Sequence, residues 1–443
     1  MDMTDLQRAD WRGEPVPQGF FPEIPVTIHD SGLPAGWLNQ LVLRHLYGGG
    51  ENDVLRLSAR VHLPVEITRS IIRQFQMAKL VEPVGRHPDS GEWSFMLSDS
   101  GRARAAEASR RSTYVGPAPV SLESYRDSLF GQSSWKTPQP ADLARALSDL
   151  AIDEDTVNQL GTALASQRSF VVVGPSGSGR SSLVGRLAAI SRGTVWVPHA
   201  LLAGDQVIRV LDPRVHQPAA LQESTAPCEA IRQSDPRWSL CREPVLRIDT
   251  AARGAEFDLH RSSDGAALEA PAHVKAALGT LIVDDTGQGP GALEAVIQRV
   301  SPAIERGSDS WVTPEKQRID MPIRLRLIAV GGARIDHDGP FLSAPRWSAP
   351  VVIGALSESS YRRAVEIALA RVGLPPMPEF IEALVDHHAK SPDVPMLASV
   401  PEALIRRIGD EARWRGQRPL VDLDALERAW RHVFPCKFAE PHK

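Results

Sequence analysis

The chain has 443 residues, of which 42% are apolar and 23% charged, and its formal net charge is −4. This composition excludes a fibre or a wholly disordered chain, and it offers no global positive excess that would advertise nucleic acid or an acidic membrane surface. Cys228, Cys241 and Cys436 are odd in number, widely spaced and form no CxxC pair, so neither a zinc ribbon nor a disulfide framework is implied.

Taken in chain order, residues 1–31 are rich in Pro and Gly, lack a stable period and read as a flexible tail. The opening residues carry no apolar run behind a basic cluster, which argues against a secretory leader. The longest apolar runs, 170–173 and 325–330, are too short to span a bilayer, so a cytoplasmic protein with no membrane span is expected.

Residues 32–112 change to a helical pattern. Trp37, Leu38, Leu41, Val42, His45 and Leu46 suit one helix, which Gly48, Gly49 and Gly50 end. A short amphipathic stretch follows through Val54, Leu57 and Val61. Pro64 then opens a helix with Ile67, Ile71, Ile72 and Phe75 on one face. Residues 80–84 and 93–97 read as strands around a turn, and Ser98 with Asp99 caps a last helix. That order predicts a winged-helix-like domain, a class that can read DNA. Residues 56–111 hold ten Lys and Arg against six Asp and Glu, a net +4. The presumed recognition helix offers only Arg69, Arg73 and Lys79, and this suits a protein-interaction or structural module better than a base-reading one.

Pro117, Pro119, Pro138 and Pro140 mark residues 113–150 as a linker. Over 151–354, apolar runs at 169–173, 194–197, 206–211, 245–248, 280–284, 324–330 and 350–353 alternate with helical stretches. Alternation of this kind predicts an α/β domain with a parallel sheet and crossover connections. From 355 to 443 the strands vanish, and helices at 378–388, 401–415 and 422–433 predict an all-helical C-terminal domain.

The apolar strand 169–173 runs straight into Gly174, Pro175, Ser176, Gly177, Ser178, Gly179, Arg180, Ser181 and Ser182, and a helix follows. Strand, Gly-rich loop and helix together make a phosphate-binding loop. Consecutive backbone N–H groups curl around phosphate oxygens, glycines permit the dihedrals, and the helix N-terminus adds attraction. Ser181 stands where a hydroxyl would coordinate Mg²⁺. Position 180, where the pattern asks for Lys, holds Arg, a longer planar group that is not an equivalent in a packed site.

Downstream, the apolar run Leu281, Ile282, Val283 ends in Asp284 and Asp285. In a nucleotide-hydrolysing site the first acid holds Mg²⁺ through water and the second polarises the attacking water, which makes Asp285 the candidate base.

With these motifs the chain resembles AAA-type ATPases, and more narrowly the bacterial ATPases with chaperone activity associated with Flp-type pilus assembly. The resemblance covers most of the chain. It rests on the winged-helix-like segment, residues 111–120, the phosphate loop, residues 208–213, Glu269–Ala270–Pro271, the Asp284–Asp285 strand and residues 412–416. It implies an α/β P-loop nucleotide-binding domain with a helical lid, ATP or ADP with Mg²⁺ as ligands, ring assembly with itself or a related AAA subunit, and a protein client.

Departures from that family are equally specific. Arg180 replaces the loop lysine. The strand 324–330 runs into Gly331 and Gly332 where a polar sensor is expected. Phe341 and Leu342 precede Ser343 and Ala344 rather than paired arginines, and Glu402 follows Pro401 where a lid arginine is expected. Such groups stabilise developing charge in phosphoryl transfer. The reading is therefore a weak or inactive ATPase acting as scaffold or regulatory subunit. An active protein-remodelling ATPase and a winged-helix DNA-binding regulator with nucleotide as effector are the alternatives.

Overall fold

The computed structural model describes residues 19–86, 91–132, 137–187, 190, 193–219, 234–249, 255–285, 292–313, 316–332, 347–418 and 420–434. These form two compact units. One takes the described residues of Met1–Lys136, Arg192–Leu281 and Ala295–Arg326, and the other those of Thr137–Ser191, Ile282–Glu294 and Leu327–Lys443.

The first unit opens with the helices Ala35–Gly49, Val54–Val61 and Val65–Met77, an antiparallel hairpin of Val81–Arg86 with Trp93–Leu97, and the helix Asp99–Arg111. Local chemistry sets these boundaries. Asp53 caps the second helix by accepting the Arg56 N–H at 2.8 Å, and Ser98 caps the last by accepting the Gly101 N–H at 3.0 Å. Gly101 is required there because a Cβ would lie 1.9 Å from the Leu80 carbonyl oxygen.

The core of these helices, with Leu38, Leu41, Leu57 and Ile71 fully buried, continues through Ala200, Leu202, Val207 and Ala267. Ala200, Leu202 and Val207 belong to, and Ala267 directly precedes a strand of, a mixed five-stranded sheet ordered His260–Arg261, Leu268–Glu269, Gln206–Arg209, Ala200–Ala203, Val120–Ser121. The strands near 194 and 206 were expected in one parallel sheet, and the structure differs. Ala200–Ala203 and Gln206–Arg209 pair antiparallel across Gly204 and Asp205, with Gly204 at φ +60°, a turn that only a hairpin needs. Thr194–Pro198 pairs antiparallel with Trp238–Arg242. Arg237 fastens the unit: it is bound to Asp235 and donates to the Ser31 and Pro119 carbonyls, all in buried surroundings. Within residues 113–150, Leu122–Gly131 and Pro140–Ala146 are helices, the former in this unit and the latter in the other.

The second unit is the α/β part with the C-terminal helices. Its site-bearing elements are α1 (Glu154–Ala165), β1 (Phe170–Val173), α2 (Arg180–Leu187), β2 (Thr280–Asp284), β3 (Arg326–Gly331), β4 (Val351–Val352), α3 (Glu358–Arg371), α4 (Pro378–Lys390), α5 (Ser399–Trp414) and α6 (Leu423–Val433). These four strands lie in the order β4, β1, β3, β2 within a five-stranded sheet. Both neighbours of β1 run parallel to it, with Ile328 opposite Phe170 and Val352 opposite Val173. All four residues of β1 are buried, which is why its sequence is continuously apolar rather than alternating. The helices α3 to α6 enclose their own core of Tyr361, Leu369, Leu384, Leu404, Leu426 and Trp430. Ser357 caps α3 and Asp422 caps α6.

Candidate functional site

Strand β1 delivers the chain into the glycine loop, and α2 begins at Arg180 on its far side. Three glycines are needed for separate reasons. A Cβ at Gly174 would sit 2.2 Å from the Ile353 carbonyl oxygen, where Ile353 in turn donates its N–H to Val173 at 2.8 Å. Gly177, at φ +84°, would push a Cβ to 2.3 Å from Ser399 Oγ, and the Ser399 N–H donates to the Gly177 carbonyl at 3.1 Å. Gly179 stands at φ +92°. Left-handed residues in such a turn direct successive N–H groups to one side, which makes an anion-binding concavity.

Two polar atoms in the loop have no hydrogen-bond partner among the described residues: the Oγ of Ser178, whose residue is 5% exposed, and Nη1 of Arg180. A buried donor without a partner is costly, so such atoms point to a ligand that completes them. Burial pulls the Arg180 guanidinium below its ordinary pKa, while Asp284 and Asp285 hold it up.

The acid strand reaches the same place. Ser181 Oγ donates to Asp284 Oδ1 at 3.1 Å, and Asp284 is buried. The Asp285 N–H is bound to the Val330 carbonyl at 2.9 Å on the neighbouring strand. A cavity of about 600 Å³ opens beside the loop, lined by residues 176–183 and Asp285. Gly174 and Pro175 precede that wall. Another part of the wall is apolar, formed by Leu150, Ile152, Ile353, Leu356 and Ile367, so the cavity joins an anion-binding end to an apolar one.

Gly332 lines the cavity at the end of β3 and offers no side chain. Glu402 lines it from the first turn of α5. Phe341, Leu342, Ser343 and Ala344 lie outside the described residues.

Asp149, Asp153 and Arg371, which belong to none of the sequence motifs, also line the cavity. Asp149 pairs with Arg186, and Asp153 accepts the Ser357 N–H at 3.1 Å. Helical spacing was the available signal for Arg371, since Ala364, Ile367, Ala368 and Arg371 share one face of α3 and line the cavity together. His387 and His388 serve packing instead. His387 meets Glu427 at 2.7 Å, and His388 meets the Tyr361 hydroxyl at 2.7 Å. Among the described residues no cluster of three or more His, Cys, Asp and Glu is placed to hold a metal ion, and no helix is long and apolar enough to cross a membrane.

Comparison with known proteins adds three findings. Residues 357–432 match a family described as a domain of unknown function, DUF8689. No curated protein matches the chain. Among solved structures, NtrX from Brucella abortus is similar at 16% identity over 78% of this chain and 69% of its own, with a TM-score of 0.37. A complex of the same protein with ADP is similar at 17% identity over 74% and 65%, with a TM-score of 0.36. These likenesses are distant, and the site stands on its own geometry.

Proposed function

We propose that this chain is an AAA-type nucleotide-binding protein that holds ATP or ADP with Mg²⁺ at its glycine loop. In this reading it is a weak or inactive ATPase that serves as scaffold or regulatory subunit of a chaperone-like, pilus- or secretion-associated assembly. One observation carries the nucleotide reading: Ser181 and Asp284 meet beside a glycine loop whose own polar atoms, Ser178 Oγ and Arg180 Nη1, await a partner. The residues fit the ligand. Loop N–H groups, Ser178 and Arg180 would hold phosphate oxygens, Ser181 and Asp284 would hold the cation, and the apolar wall would take the base. Mg²⁺, when bound, supplies charge neutralisation between the phosphates. Asp285 is the candidate base.

Loss of hydrolysis is supported by what faces the cavity. Arg180 is the cation of the loop, Gly332 follows β3 without a polar group, and Glu402 presents a carboxylate where positive charge would aid phosphoryl transfer. The intact set of Ser181, Asp284 and Asp285 favours the second reading, an active protein-remodelling ATPase. Turnover by the purified chain, compared with that of Asp285→Asn, separates the two.

By the same reading, the helices of 35–111 with their hairpin form a winged-helix-like domain, and α3 to α6 form the lid of the nucleotide domain. A cytoplasmic oligomer, built with itself or with a related subunit, and a protein client complete the proposal. DNA binding is disfavoured because Arg69 is already engaged by Glu66 at 3.5 Å and Glu92 at 3.4 Å.

A further inference from the structure

We propose that Arg371 is a second phosphate-contacting cation of this cavity, brought to it by α3 and steadied by Glu402. The inference rests on the nucleotide reading above and names a residue that the loop motifs do not contain.

Charge on the cavity wall is the first argument. Arg180 and Arg371 face four carboxylates there, those of Asp149, Asp153, Asp285 and Glu402. A wall with an acidic balance repels a di- or triphosphate unless its cations are free to turn toward it. Burial holds the Arg180 guanidinium below its ordinary pKa, and the nearby Asp284 and Asp285 carboxylates oppose that and partly answer its charge. Asp149 is engaged by Arg186, and Asp153 accepts from Ser357. Among the described residues of the wall, Arg371 is the other cation, and its partner there is Glu402.

Placement is the second. Arg371 Nη1 donates to Glu402 Oε2 at 3.3 Å. Glu402 stands one helical turn from Ser399, whose N–H is bound to Gly177 at the crest of the phosphate loop. The Glu402 backbone thus stands about one turn, roughly 5 Å along the axis of α5, from the residue bound to the loop, and Arg371 lines the same cavity as that loop.

Freedom is the third. Glu402 also accepts from Arg406 at 2.7 Å, so its carboxylate keeps a cationic partner when Arg371 leaves it. The Arg371 side chain is 49% exposed and has room to swing. A planar fork of this kind binds phosphate oxygens in pairs, which Lys does not.

The test uses the full chain with Mg²⁺ and fluorescently labelled ADP and ATP, with unlabelled adenosine as competitor. Native protein, Arg371→Ala, Arg371→Lys and Arg362→Ala are compared. Arg362 lies on the same helix, paired with Glu358 and Glu382, and does not line the cavity. Arg371→Ala is expected to weaken ADP, ATP or both by about tenfold or more, the scale of one lost charge-assisted hydrogen bond. Arg371→Lys recovers part of that loss, Arg362→Ala binds as native, and adenosine competes equally with all four. Native-like ADP and ATP binding by Arg371→Ala overturns the assignment while leaving the nucleotide site standing. An equal loss for adenosine overturns it too, because the role would then be structural. Absence of nucleotide binding by the native chain overturns the site and the assignment together.

Discussion

Ser181 Oγ and Asp284 Oδ1 meet at 3.1 Å although 103 positions separate them in the chain. The order of strands produces the meeting. One strand, β3, lies between β1, which feeds the loop, and β2, which ends in the acid. Ser181 then rises from the first turn of α2 toward the end of β2. A hydroxyl beside a buried carboxylate is an oxygen-rich seat for a hard divalent cation. Mg²⁺ is therefore expected to tighten ADP binding to the native chain. Ser181→Ala and Asp284→Asn each remove most of that gain, about tenfold, which matches the loss of one charge-assisted contact. Calorimetric titration with Mg²⁺ and with a chelator measures it, and an undiminished gain in both variants counts against the seat.

The glycines of α5 and of the loop divide by backbone and space. Gly177→Ala meets both penalties, a φ of +84° and a contact of 2.3 Å with Ser399 Oγ. It is expected to lower stability by about 1–3 kcal/mol and to abolish nucleotide binding. Gly409, inside α5, has open space around its Cβ position. Gly409→Ala is expected to stabilise by about 0.5–1 kcal/mol, because Ala loses less backbone freedom in a helix. Urea unfolding of the two variants against the native chain gives both signs in one experiment.

Turnover of ATP is expected at background level in the native chain. Arg180→Lys supplies a compact charge at the loop, but Gly332 still presents no polar group to align water. That variant is expected to bind ATP without a large gain in rate. Phosphate release measured for native, Arg180→Lys and Asp285→Asn decides the matter. Hydrolysis by the native chain that Asp285→Asn removes would establish the active ATPase instead. Restored turnover in Arg180→Lys alone would show the rest of the site to be competent.

The features legible in the sequence were those whose cause is local. Val171, Val172 and Val173 read as a buried strand because both faces of β1 are covered, and the glycine signature directly follows. The Pro140 helix carried its signal as well, with Asp142 capping back to the Gln139 N–H, yet the surrounding prolines outweighed it in a reading by composition. Partners across the chain were not legible. Thr194–Pro198 has the same apolar run as a parallel core strand, and periodicity does not say that Trp238–Arg242 will lie antiparallel beside it. Val120–Ser121 is a strand of two residues that exists only through its pairing with Leu201 and Leu202. Arg371 belongs to this class too. Its spacing places it on a helix face, but only packing puts that face on the cavity that the phosphate loop lines.

Acid is expected to destabilise the first unit at a pH above the window in which Asp212 and Asp264 lose their contributions. Burial pushes His45, His199 and His216 each down to about 4 from an ordinary value near 6.5. His216 shows why the neutral form is held. Its Nδ1 accepts the Asp212 N–H at 2.9 Å, and its Nε2 faces the Lys275 carbonyl at 2.9 Å, so a proton on Nδ1 would break the first bond. The sign follows from proton binding. Between pH 6.5 and 4 the unfolded chain carries more protons on these rings than the folded one, so stability is full above about 6.5 and falls as pH drops. Asp212 and Asp264 have lowered pKa values, so their contributions are full above about 3.9 and are lost only below it, in a separate window. Urea unfolding at pH 7.5, 6.0 and 5.0 should therefore show a fall on the order of a kcal/mol or more per pH unit at the acid end. His216→Gln, which keeps a neutral hydrogen-bonding side chain, should flatten part of that slope. A stability independent of pH from 7.5 to 5.0 would show that these rings are not held neutral by the fold.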